Sequence, residues 1–124
     1  MKSAAAAAAY KAGRIENAPP LKLVQLMYEG ALRFLEQAES ALAAAEGARF
    51  QERCLRAQAV IGELRLALDP EHSPELAGNL SALYLFAEGE ISRALASESS
   101  APLEPVRTVL GTLLEGWRGL EVGA

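Results

Sequence analysis

The chain has 124 residues, 51% of them hydrophobic, and a net charge of −4. That is enough sequence for one domain with one core, and too apolar a composition to stay disordered. No cluster of Lys or Arg offsets the acidic balance, which argues against nucleic acid or an anionic membrane as partner. The single cysteine, Cys54, cannot form an internal disulfide and fits a reducing cytoplasm.

The opening run Ala4–Ala9 has high helix propensity but is too short to hold a helix alone. Alanine is only weakly hydrophobic, and Tyr10, Lys11 and Arg14 follow with no further apolar run, so the segment does not read as a secretory signal. No stretch approaches the roughly 18 uninterrupted apolar residues of a membrane span. We read residues 1–18 as an N-terminal arm, interrupted at Gly13, and residues 19–124 as a single helical domain.

Asn17-Ala18-Pro19-Pro20 makes an extended entry, with Asn17 as a cap and a proline in the first turn. The first helix is expected over residues 20–46, ending near Gly47. Its core seam is Val24, Met27, Ala31, Leu35, Ala38, Leu42 and Ala45, spaced by threes and fours. Leu21, Leu23, Leu26, Tyr28 and Leu32 add apolar surface beyond that seam, and Leu26 lies roughly 140° from it. The second helix, 48–68, sets Phe50, Cys54, Ala57, Ile61, Leu64 and Leu68 on one face. Asp69-Pro70-Glu71-His72 breaks it, and Ser73-Pro74-Glu75 restarts the chain as cap, first-turn proline and first-turn acid.

The third helix, 74–97, turns Leu76, Leu80, Leu83, Ala87, Ile91 and Ala94 inward. After the loop through Pro102, the fourth, 103–120, does the same with Leu103, Val106, Leu110, Leu113, Trp117 and Leu120. Four such seams joined by short connections predict an all-α fold, an antiparallel four-helix bundle with a short N-terminal arm.

No reactive constellation accompanies this pattern. His72 is the only histidine and stands in a breaker loop, whereas a di-iron bundle needs Glu-x-x-His on two helices. Cys54 lies on a core seam, where a free thiol acts as a small hydrophobe. There is no glycine-rich phosphate loop. We therefore expect no catalytic residue, no metal, no cofactor and no enzymatic activity.

The functional signal lies behind the seams. On the second helix, Leu55, Ala59, Gly62 and Leu66 form an outward stripe spaced 4-3-4. On the third, Gly78, Ala82, Leu85 and Gly89 repeat that spacing. Each glycine inside a helix costs about 1 kcal/mol relative to alanine. A row of small residues with a leucine among them makes a shallow apolar groove, and Leu83-Tyr84-Leu85-Phe86 covers every side of its helix. With Leu26 this gives three outward patches, a pattern that suits the binding of amphipathic segments.

Tyr10, then Ile15-Glu16-Asn17-Ala18-Pro19-Pro20, then Leu23-Val24 and Leu26-Met27-Tyr28-Glu29-Gly30-Ala31 resemble the flagellin-specific export chaperones of bacteria, the FliS family. Ala57, Val60-Ile61, Glu63-Leu64, Asn79-Leu80, Leu83-Tyr84 and Trp117 continue the resemblance in order along nearly the whole chain. Asn17-Ala18-Pro19-Pro20 stands where that family has Thr-Ala-Ser-Pro. Glu71-His72-Ser73-Pro74 replaces a glycine pair, and Leu85 and Leu95 replace a usual Asp and Asn.

The resemblance implies a cytoplasmic helical bundle that binds the disordered C-terminal segment of flagellin. Such a protein prevents premature polymerisation and presents its client to the flagellar type III export gate protein. Tyr10 and Ile15 would then cap a groove in the client-free state, and the protein would be a monomer or weak homodimer. The alternative is a structural homo-oligomeric bundle, or an adaptor without a flagellin client, whose outer stripes pair with each other.

Overall fold

The computed structural model describes residues 21–71 and 73–123, and side chains as far as Gly119. The arm, with Ala4–Ala9, Tyr10, Gly13, Ile15 and the cap expected at Asn17, lies outside the described residues, as do His72 and the side chain of Leu120. Four helices and no strand occur among the described residues: α1 Leu21–Ala43, α2 Gly47–Leu66, α3 Pro74–Ser97 and α4 Leu103–Gly123. Each packs on the next and α4 returns to α1, while the diagonal pairs α1/α3 and α2/α4 make no backbone approach. Short connections dictate antiparallel neighbours. Glu39 pairs with Arg107 and Glu29 with Arg118, as antiparallel α1 and α4 require.

The connection from α1 to α2 is built on an alanine. Ala45 has φ 60°, the left-handed region, and the Glu46 N–H donates to the Ala41 carbonyl at 2.8 Å while the Ala45 N–H donates to that of Leu42. This is a Schellman C-terminus, which usually places glycine at the left-handed position. Gly47 was expected to end the helix. It instead begins α2, because Ala45 makes the turn two residues earlier. A left-handed L-residue costs about 1–2 kcal/mol, partly offset by the chain entropy a glycine gives back to the unfolded state. Ala45→Gly should therefore stabilise the fold by about 1 kcal/mol, read as a raised urea midpoint at unchanged slope. At Ser73 the expected side-chain cap is absent: the residue occupies the N-cap position, but only its carbonyl is engaged, by Ala77, with Pro74 setting the first turn.

The core contains the expected seam of α2 from Phe50 through Leu64. On the other three helices the seam is rotated towards the next residue. Tyr28, Tyr84 and Leu114 are buried where Met27, Leu83 and Leu113 were expected, and those three are half-buried. Leu42, Leu68 and Leu76 are also only half-buried, Ala77 is inside, and Ala45 is exposed.

Tyrosine chemistry explains the shift. The Tyr28 and Tyr84 hydroxyls hydrogen-bond to one another across the α1/α3 diagonal, so neither ring has to reach water. Trp117 tilts against Tyr28 with ring centroids 6.2 Å apart. Gln25, 2% exposed, donates from Nε2 to the Trp117 carbonyl at 3.1 Å. Burial first, and then Tyr84, push the Tyr28 hydroxyl far above its ordinary pKa, so the pair stays neutral. Tyr28→Phe alone strips the Tyr84 hydroxyl of this partner in a dry core and should cost about 1–3 kcal/mol. Tyr28→Phe/Tyr84→Phe should cost less than the sum of the two singles, a coupling that four denaturation curves measure.

Candidate functional site

Two polar contacts fix which sides of α2 and α3 meet. Gln58 on α2 donates from Nε2 to the Glu88 carbonyl and to Ser92 Oγ on α3, each at 2.9 Å. About two turns further along α2, Arg65 donates from Nε to Glu88 Oε2 at 2.7 Å and from its terminal nitrogen to Oε1 at 3.2 Å. The Glu88 hydrogen bond and charge hold Arg65 above the ordinary guanidinium value. At about 100° per residue, the stripe Leu55, Ala59, Gly62 and Leu66 lies just outside Gln58 and Arg65 on the same flank of α2. Leu85 is one turn before Glu88 and lies on the matching flank of α3. Gly62 agrees with this facing: a Cβ added there would be 3.7 Å from Glu88 Oε1.

Leu55, Gly62 and Leu66 on α2 and Leu85 on α3 thus flank one α2/α3 furrow, whereas Gly78 and Ala82 come before the part of α3 that α2 reaches. Its rims are apolar and wet: Leu66 is 76% exposed, Leu55 54% and Leu85 53%. Ala59, Gly78, Ala82 and Gly89 are exposed on the backs of their helices, and Gly62 is half-buried. A methyl group added at Gly78 or Gly89 would meet nothing within 4 Å, so the outer wall of α3 is open. The three leucines leave roughly two whole leucine side chains in water, a surface worth on the order of 3–6 kcal/mol when covered.

Leu26 is exposed as expected but is not part of this furrow. It lies on the back of α1, between Glu29, which reaches α4, and the flank turned to α2, which Leu23 shares with Phe34, whose ring has the Arg53 guanidinium 5.8 Å above it. Phe86, 44% exposed on α3, was not singled out as a binding residue; the run Leu83-Tyr84-Leu85-Phe86 was the available signal, since it leaves two residues outside once Tyr84 turns in. Tyr10 and Ile15 lie outside the described residues.

Other surfaces have a different character. A shallow cleft of about 410 Å³ between α1 and α4 has Glu29, Arg33, Glu36, Glu115 and Arg118 around Leu32 and Leu114, a charged lining unsuited to an apolar segment. Cys54 is fully buried, and burial pushes its thiol up to about 11, so it is not a thiolate near neutral pH. Among the described residues no group of three His, Cys, Asp or Glu side chains is placed to hold a metal, and no helix is long and apolar enough to cross a membrane.

The sequence matches the family model of the flagellar protein FliS over residues 2–123. It is 34% identical over 110 residues to the flagellar secretion chaperone FliSB of Pseudomonas aeruginosa, covering 86% of this chain and 85% of that one. It is 32% identical to the flagellar secretion chaperone FliS of Campylobacter jejuni, over 89% and 86% of the two chains. With the flagellar secretion chaperone FliS of Bacillus subtilis it shares 24%, over 89% and 81%.

Proposed function

The chain belongs to the FliS family and serves as a flagellar export chaperone, and we propose that its client is the C-terminal segment of flagellin, held along the α2/α3 furrow. What supports this reading is that Leu55 and Leu66 on α2 and Leu85 on α3 are left in water beside the contact between the two helices. A segment that forms filament contacts after export is apolar and helix-prone, and covering it in the cytoplasm prevents premature polymerisation. Delivery to the export gate protein follows from the same role and needs no catalysis, metal or cofactor. Leu26, with Tyr10 and Ile15 on the arm formed by residues 1–18, extends the client surface beyond the furrow.

Calorimetric titration with a peptide of the cognate flagellin C-terminus tests the proposal. The expected result is a one-to-one complex, with a negative heat-capacity change from buried apolar surface and a gain of helix in the peptide. Size exclusion at dilute concentration provides the contrast. A stable oligomer indifferent to the peptide would instead support outer stripes that pair with each other.

A further inference from the structure

We infer that the Arg65–Glu88 pair sets the register of the client, selecting a neutral hydrogen-bonding side chain between two apolar anchors. The inference rests on the reading of the furrow as the client site. Leu55 and Leu66 are eleven residues apart on α2, roughly 16 Å along its axis. The floor between them and Leu85 is polar, occupied by Gln58, Arg65 and Glu88. A segment lying along both leucines therefore crosses the ion pair.

The pair is already well covered, with side-chain exposures of 28% for Arg65 and 20% for Glu88. A guanidinium has five N–H groups, and the Glu88 carboxylate takes two of them. The side chain keeps part of its surface in water, and a helix laid over it removes that water from a charged donor. Unless the client supplies an acceptor there, that desolvation weakens binding. An apolar residue cannot supply one. A charged residue is disfavoured as well, because the ion pair is neutral as a unit and an added charge would be buried without its own partner. An amide or hydroxyl oxygen meets both conditions.

The remaining ion pairs lack this setting. Glu39–Arg107 and Glu29–Arg118 join α1 to α4, with an exposed leucine, Leu26, beside Glu29 on α1 only, and the pairs of Glu52 and Glu90 lie within single helices. Among those described, Arg65–Glu88 alone is an interhelical pair with exposed leucines on both of its helices.

The test is a leucine scan of the neutral polar residues in the flagellin C-terminal peptide, titrated against the wild type and against Arg65→Met/Glu88→Leu. The wild type should show one position at which leucine weakens binding at least tenfold, and the double variant should lose most of that penalty while melting normally. In Glu88→Gln, which serves if the double variant does not fold, the uncompensated guanidinium should make glutamate the best residue at that same peptide position. A peptide that binds but tolerates leucine everywhere, or a penalty of equal size in the variants, overturns the register role and leaves the furrow standing. A wild type that binds no peptide overturns the furrow reading and this inference together.

Discussion

Truncating Trp117 to alanine is expected to remove about 3–5 kcal/mol of stability, the range for a large aromatic deleted from a packed core. The indole is 2% exposed, lies against the Tyr28 ring and stands above the carbonyl that receives Gln25. For a domain near 100 residues each kcal/mol lowers the melting temperature by about 4–8 °C, so the transition should fall by about 12 °C or more. Far-ultraviolet dichroism on heating measures it. A shift equivalent to less than about 1 kcal/mol would mean that the α1/α4 seam repacks around the void, in conflict with the close fit described above.

The second large effect is on binding. Leu85→Asp should leave stability nearly unchanged, since the side chain is half in water and a surface substitution of this kind stays within about 0.5–1 kcal/mol. It should weaken the flagellin peptide at least tenfold. Covering a leucine contributes roughly 1.5–3 kcal/mol, a buried unpaired carboxylate adds a penalty, and about 1.4 kcal/mol is one decade. The position is informative because the family resemblance has an Asp there. Unchanged affinity would remove the α3 rim from the client path and move it towards Leu55 and Leu66, whereas an unfolded variant would contradict the exposure of Leu85.

Local geometry made much of this readable. The bounds 74–97 of α3, the inward face of α2 and the outward leucines all follow from one chain segment and a fixed turn angle. What was not readable depends on residues far apart in sequence. Tyr28 and Tyr84 look like peripheral amphipathic side chains until their hydroxyls are seen to satisfy one another 56 residues apart. Gln25 reads as a surface amide because its acceptor is a carbonyl 92 residues away. Gly47 reads as a helix stop by chemistry alone, yet Ala45 accepts the strained conformation because the two helices must meet within a three-residue connection. The two outward stripes were visible separately. That Leu66 and Leu85 flank the same seam emerges only from the Gln58 and Arg65 contacts, which show which flanks of α2 and α3 are turned together.

The join between α1 and α4 differs in kind from the other three, because it unites the two ends of the described chain. Neighbouring helices along the sequence meet as hairpins over short loops, whereas Gln25 must wait for the Trp117 carbonyl. During synthesis from the N-terminus, α1, α2 and α3 have all been made before the fourth wall exists. Until then the side of Tyr28 that Trp117 covers has no partner from α4. Contacts closed over so many residues are also the slowest to find. The packing around Tyr28 is therefore complete only once α4 has been made.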